Sequence, residues 1–277
     1  MPQASTSRGI RSPGVVSALL LLLAVPAVAL EAPPLDPPAR LDELVAPIAL
    51  YPDPLLAQVL AAATFHDQIS DAAHWADQHR ELVGQALALA MQAQRLPWDP
   101  GVQAMLPFPS VLDRMASRKD WTANLGDTFL AHQPEVMDAI QRQRQKAKDF
   151  GYLRSNSKIA VSSGHDIAIV PVNPATIAVP SYDPQRVFAP PRPGSTVDEA
   201  VGWGEDVLVG GFKPYGWKLE KFAVIGGYFQ AWGWGLEDID WGAHTMIIND
   251  ARWHRDWVNR NEYAHPYPAL QKVVPPQ

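Results

Sequence analysis

The chain has 277 residues, with 27 Pro, 18 Gly, 10 Trp, no Cys and a formal charge of −6. At 47% hydrophobic it is too apolar for a disordered chain. The absence of cysteine excludes disulfides, thiolate catalysis and Cys-ligated metal. The acidic balance argues against general nucleic-acid binding, which needs a basic face for phosphates.

Residues 1–29 read as an address. Arg8 and Arg11 supply a positive start, Val15 to Val25 runs apolar, and Pro26 precedes Ala27-Val28-Ala29. That is the order of a secretory signal peptide with a small-x-small cleavage site, expected to be cut after Ala29. A membrane span needs about 20 apolar residues, roughly twice this run. With no Cys for lipid attachment and no twin arginine, the general secretory route is expected. The product would be periplasmic or extracellular, with no transmembrane span after cleavage. Its formal charge would move from −6 to −8 with the loss of Arg8 and Arg11.

Residues 30–40 (LEAPPLDPPAR) form a Pro-rich leader, read as extended. Residues 41–157 read as an all-α domain of short helices. Asp53-Pro54 sets an N-cap acid before a first-turn proline, followed by Leu55, Leu56, Val59 and Leu60 at helical spacing. Asp99-Pro100 repeats the device. Asp67 or Ser70 opens a helix through Ala72, Ala73 and Ala76. Leu82 to Met91 gives another apolar stripe. Asp120 precedes Trp121, Leu125 and Phe129. Gln133-Pro134 starts the last helix, and Gly151 stops it. Helices this short are unstable alone, so they are expected to pack as an antiparallel bundle. Arg142, Arg144, Lys146 and Lys148 read as a basic, solvated face near the end of that last helix.

Residues 158–188 change period. Ile159–Val161, Ile167–Val170 and Thr176–Val179 are β-branched runs split by Ser-Ser-Gly and Asn-Pro turns. They predict a three-stranded antiparallel β meander, with Pro171 and Pro180 at strand ends or edges. Residues 189–198 form a second Pro-rich linker. Residues 199–277 are rich in Gly and Trp. There Thr245 to Asn249 reads as a strand, Asp250 to Asn259 as a short helix, and Lys221 to Tyr228 as either. The predicted fold class is α+β: an N-terminal short-helix bundle, a small β meander and a Gly/aromatic-rich C-terminal region.

An ordered set of landmarks carries a family resemblance. LDELVAPIALYPDPLLAQVLAAAT is followed by Trp75, Pro97-Trp98-Asp99-Pro100, Phe108-Pro109 and Asp120-Trp121-Thr122. LGDTFLAHQPEVMDAIQRQRQKA, Pro171-Val172-Asn173-Pro174 and Val179-Pro180-Ser181-Tyr182-Asp183-Pro184 come next, with an echo at Asp240-Trp241-Gly242. Over roughly residues 41–188 the chain resembles a bacterial exported-protein family catalogued as domain of unknown function 3300. The resemblance implies an envelope protein and brings no catalytic residues. Relatives usually carry a Cys before the Asp-Trp pair, where this chain has Ile239.

The densest polar cluster lies at Glu237, Asp238, Asp240, His244, Asp250 and His254. Asp240, His244 and His254 are its weak catalytic candidates, since carboxylates and imidazoles serve acid–base work. The ordinary reading of such residues beside glycines is a turn. His66, His74 and His79 lack the i,i+4 spacing of a helical metal site, so no metal ligand and no cofactor is assigned. Ser155 to Lys158 matches S-x-x-K but falls between a helix stop and a strand, without the partner motifs of that chemistry. Trp217, Trp232, Trp234 and Trp241 are the binding candidates, because exposed rings recognise sugars, peptides and interfaces. Against this stands a small core filled by large rings. The expectation is an exported envelope protein that is a non-enzymatic binding or structural module rather than an enzyme, with an envelope protein or cell-wall polymer as partner. The alternative is an exported hydrolase using Asp240, His244 and His254. A third reading is peripheral membrane binding through the tryptophans and the Arg142–Lys148 segment.

Overall fold

Proline at the first turn is the recurring local device of this fold. It opens helices α1 (Pro38–Val45), α2 (Asp53–Ala63), α5 (Pro100–Gln103), α6 (Pro109–Ser117), α8 (Gln133–Asp149) and α9 (Pro184–Val187). A first-turn N–H has no helical acceptor anyway, so proline costs nothing there and its fixed φ favours the helix. Helices α3 (His66–Gln78), α4 (Gly84–Gln94) and α7 (Lys119–Ala131) complete the bundle. The computed structural model describes residues 1, 31–173, 176–192, 200–208, 238–248 and 251–261. The chain divides into units Met1–Glu31 and Ala32–Gln277, and the structure described is that of the second. The expected signal segment, Trp217, Trp232, Trp234, Glu237, and the Lys221 to Tyr228 stretch lie outside the described residues.

Helix α2 is the axis. All of its residues are buried, from Asp53 to Ala63. Apart from Asp53 and Gln58 its residues are apolar on every side, as suits a helix enclosed by others. Helices α3, α5 and α7 pack against it. The crossing with α7 is backbone on backbone. A Cβ placed on Gly126 would lie 2.0 Å from the carbonyl oxygen of Ala63, so no side chain fits there. Asp99 caps α5 as the sequence predicts, its Oδ1 accepting from the Gly101 N–H at 2.7 Å. At the end of α8, Gly151 takes φ 79°. Its N–H donates to the Lys148 carbonyl, and the Tyr152 N–H donates to Ala147. This pair of bonds is a Schellman stop.

Asp53 does something other than cap. It is the first residue of α2, and its side chain makes no capping bond. Its carboxylate meets Arg144 of α8, with Nη1 at 2.6 Å from Oδ1. Arg144 is fully buried and also donates to the carbonyls of Ala49, Tyr51 and Ile167. The expected basic face of α8 is therefore corrected. Residues two apart on a helix differ by about 200°, so Arg144 points away from Arg142 and Lys146. Those two flank Asp42 of α1, each at 2.8 Å.

The α+β class holds, but the strands pair differently from the expected meander. Strands β1 (Ile159–Val161) and β2 (Ile169–Pro171) form a hairpin. Strand β3 (Thr176–Tyr182) leaves them and pairs antiparallel with β4 (Val201–Leu208). The Pro171 that ends β2 has no N–H to donate onward. Pro180 lies inside β3, where the register shifts between Ala178 and Pro180 to absorb its missing donor. Strands β5 (Asp238–Asp240), β6 (Thr245–Ile248) and β7 (Ala251–Arg252) form a third sheet. The short helix expected over Asp250 to Asn259 is not formed in its described part: β7 is followed by irregular chain and a turn.

Two apolar clusters result. The larger joins the helices to Ile239, Trp241, Met246 and Trp253 of the third sheet and its flanks. The smaller gathers Leu50, Ala147, Leu153, Ile159, Ile169 and Val201 around the hairpin. Tyr182 stitches the two. Its hydroxyl donates to the Ala46 carbonyl at 2.8 Å and accepts from the Leu50 N–H at 3.3 Å.

Candidate functional site

The Asp240-Trp241-Gly242 triplet links the core to an open cleft. The indole N–H of Trp241 donates to Asp53 Oδ2 at 2.9 Å, and its ring lies 4.8 Å from the Arg144 guanidinium. Burying this ring fixes the start of the β5–β6 turn, residues 241–244. The turn ends at His244, a non-glycine residue with φ 49°. Such a left-handed backbone is costly and persists where neighbours impose it. Here the His244 carbonyl accepts from Gln133 Nε2 at 2.9 Å, and Nε2 of the ring lies 2.9 Å from Asp138 Oδ1.

Between this turn and α8 lies a cleft of about 420 Å³. Asp138, Gln141, Arg142 and Gln145 line one wall. Their spacing places them on one face of α8. His165 and Asp166, 3.0 Å apart, line another side, and Trp241, Gly242 and His244 complete it. Gln141 is locked in place, since its carboxamide both accepts from the Ile167 N–H and donates to the Ile167 carbonyl. The cleft thus offers two imidazole–carboxylate pairs, planar amides and a guanidinium around an aromatic edge.

The sequence candidates separate on this frame. His244 and Trp241 line the cleft. Trp241 is 7% exposed, so most of its ring serves the core. Asp240 closes its own turn, with Oδ1 accepting from the Ala243 N–H at 3.0 Å and Oδ2 lying 3.7 Å from Arg252. His254 is exposed beyond β7 and is not a lining residue of the cleft. Asp138, His165 and Asp166 were not singled out in the sequence. The i, i+3, i+7 repeat of Asp138, Gln141 and Gln145 was the available signal. Elsewhere, His79 stacks on Trp75 with ring centres 3.9 Å apart, and His74 bonds Gln78. Ser155 Oγ accepts from the Val161 N–H, while Lys158 Nζ donates to Gly204. Among the described residues no group of three or more His, Cys, Asp or Glu could hold a metal ion. No helix among them is long and apolar enough to cross a membrane.

A family model described as "Protein of unknown function (DUF3300)" matches residues 37–265. The chain belongs to this family. Asp53, Arg144 and Trp241 all lie inside the matched span. The chain is 32% identical over 183 residues to the uncharacterized protein YacH of Escherichia coli (strain K12). That match covers 54% of this chain and 29% of the relative, so the chain spans under a third of the length of this curated relative. No solved structure matches.

Proposed function

We propose that this family member is an exported bacterial cell-envelope protein that works as a non-enzymatic binding module. Its cleft between α8 and the β5–β6 turn would hold a hydroxyl-rich envelope polymer. One observation carries the reading. Asp138, Gln141, Arg142, Gln145, His165 and His244 converge on one opening beside an aromatic edge. Amides and imidazoles that donate and accept, beside a donor guanidinium and an acceptor carboxylate, suit a hydroxylated ligand, and apolar ring surface suits the C–H face of a sugar. The N-terminal Arg8, Arg11, Val15 to Val25 and Ala27-Val28-Ala29 order supports export.

Two measurements test this. Fractionation of cells making the full chain should place the processed protein, beginning at Leu30, outside the cytoplasm. Sedimentation with purified cell-wall polymer should carry it down, and Asp138→Ala or His165→Ala should weaken that by about tenfold, as expected for loss of a hydrogen bond to a charged group. Cytoplasmic retention would defeat export, and undiminished sedimentation of both variants would defeat the cleft.

A second reading, an exported hydrolase, draws on the His244–Asp138 contact. A carboxylate that orients an imidazole can make it a general base toward water. In this geometry Asp138 takes the place that Asp240 and His254 were expected to fill beside His244. Polymer cleavage by the wild type that His244→Ala abolishes would favour the hydrolase.

A further inference from the structure

A closed circuit of hydrogen bonds joins the end of α4 to α3, and its direction is fixed at every link. The indole N–H of Trp75 can only donate, so the Gln94 atom 2.6 Å from it is the carboxamide oxygen. The Gln94 nitrogen then faces His79 Nε2 at 3.2 Å. A carboxamide nitrogen donates, so Nε2 accepts and carries no proton. The proton of the neutral imidazole therefore sits on Nδ1, which donates to the Trp75 carbonyl at 2.8 Å. The His79 ring lies flat on the Trp75 indole, with centres 3.9 Å apart and planes 17° apart.

The circuit closes for neutral His79 alone. A proton on Nε2 would point an N–H at the Gln94 NH2 group. Turning the carboxamide over gives the imidazolium an oxygen but aims the NH2 group at the indole N–H. One amide has one oxygen, so Trp75 and a protonated His79 cannot both be served. The imidazolium itself stays well placed, because the Trp75 carbonyl and ring face still receive it. What it loses is its hold on Gln94. His79 is half-buried, so solvent protons reach it. Imidazole is the side chain that takes up a proton between about pH 8 and 5.

The charged groups around His79 are engaged elsewhere or face solvent. On α3, His74 is exposed and bonds Gln78, and Asp77 holds Arg80. Asp113 of α6 holds the same Arg80 at 3.0 Å. Glu81, after α3, and Arg95, at the end of α4, are exposed. Among the described residues His79 has no ion pair.

Helix α4 is built to respond. It lies between two left-handed residues, Gly84 at φ 58° and Arg95 at φ 46°. The second is costly for a residue with a side chain, and freeing Gln94 lets it relax. Leu87 and Met91, one turn apart, are the described α4 side chains that reach the core, while Leu89 is exposed. Beyond Arg95 the chain stays fixed, since Gln103 Nε2 donates to the carbonyls of Leu96 and Trp98.

We propose that Trp75, Gln94 and His79 form a proton-operated latch. Protonating His79 frees the Gln94 end of α4, which swings at Arg95 and uncovers Met91 and the edge of Trp75. The latch uses none of the residues that line the cleft, so either reading can fail without the other.

The test is amide hydrogen exchange of the purified full chain, read over residues 84–94 as protection relative to an unstructured chain at each pH. From about pH 8 to about pH 5.5, protection of α4 should fall about fivefold, as for one hydrogen bond of ordinary net strength, while α2 stays unchanged. His79→Phe keeps a ring on Trp75 and removes the titrating nitrogen, so its α4 should be equally protected at both pH values. His74→Gln should leave the fall in place. Gln94→Glu should reverse it, because a carboxylate accepts from the indole and from the imidazolium together. Equal wild-type protection at both pH values overturns the proposal. So does a fall that persists in His79→Phe, one that vanishes in His74→Gln, or one that Gln94→Glu fails to reverse.

Discussion

The two ends of α2 are both closed by a buried arginine, and the two closures differ in kind. At the N-terminus, Arg144 faces the Asp53 carboxylate, and the same carboxylate accepts from the Ile169 N–H and the Trp241 indole. At the C-terminus, Arg255 meets the helix end itself. Its Nη1 donates to the Thr64 carbonyl at 3.0 Å and to Thr64 Oγ1 at 2.8 Å, and its guanidinium lies 3.6 Å from the Phe65 ring centre. The helix dipole explains the asymmetry. A helix N-terminus is partly positive and favours an anion, so Asp53 sits there and draws in its own cation. The C-terminus is partly negative, so the cation can bind the helix carbonyls directly. Each end fastens a distant piece of the C-terminal region, Trp241 at one and Arg255 at the other. The helical bundle and the third sheet therefore share one core.

The comparison breaks most sharply at Asp53. Asp53→Asn keeps the shape but removes the counter-charge, stranding a buried guanidinium. The expected loss is about 3–5 kcal/mol of unfolding free energy, read from urea titration. Replacing the whole pair, Asp53→Leu with Arg144→Met, should recover only part of that loss: the uncompensated charge goes with its partner, but the Ile169 and Trp241 N–H groups and the Ala49, Tyr51 and Ile167 carbonyls lose theirs. A single variant within about 1 kcal/mol of wild type would mean that the node is incidental.

At the other end, Gly126→Ala tests how tightly the C-terminus of α2 is fitted. The new methyl would meet the Ala63 carbonyl oxygen at 2.0 Å and the Thr64 nitrogen at 3.0 Å, so backbone must move. Overpacking costs about 3 kcal/mol at the upper end of its usual range, and the gain of about 1 kcal/mol in helix propensity offsets part of it. Smaller still is Arg255→Met, which keeps an apolar stem over Phe65 while deleting the bonds to Thr64. About 1.5 kcal/mol is expected, the low end for hydrogen bonds to a charged group. A loss equal to that of Asp53→Asn would erase the distinction between the two ends.

How much of this was legible in the sequence follows from range. The Asp99 cap, the Pro-opened helices and the Gly151 stop involve neighbours, and local spacing exposes them. Asp53 carries the same Asp-Pro signature as Asp99, yet its partner lies 91 positions away and its indole donor 188. No local pattern separates a capping aspartate from one claimed by a distant arginine. The same blindness made Arg144 part of a solvated face, though its two-residue offset from Arg142 already put it on another side of the helix. Of the candidate site, His244 and Trp241 were visible as a dense polar and aromatic patch. Asp138, His165 and Asp166 reach the cleft only because α8 and the hairpin loop fold against the β5–β6 turn. The escape of β3 to pair with β4 was equally hidden, since Val201–Leu208 mixes glycines and charges and carries no clean alternation.

The smallest effect concerns the approach to α2. Tyr182 is partly buried as a residue, but its hydroxyl lies between Ala46 and Leu50, on the loop that leads to Asp53. Tyr182→Phe deletes both bonds and should cost about 1 kcal/mol. A second signature comes with pH. Burial raises the pKa of Tyr182 above the ordinary 10.0, with the Leu50 N–H opposing it, and burial likewise raises that of Tyr51 against Arg114 and Arg118. A tyrosine whose folded pKa is raised stays neutral in the fold while the unfolded chain ionises. Its contribution is therefore complete below pH 10 and lost as pH climbs above it. Wild-type stability should fall steeply above pH 10. Tyr182→Phe should begin lower and fall less steeply, retaining only the Tyr51 component. A Tyr182→Phe profile that falls as steeply as wild type above pH 10 would show that the Tyr182 hydroxyl is not held between Ala46 and Leu50, and that the N-terminal closure stops at Asp53.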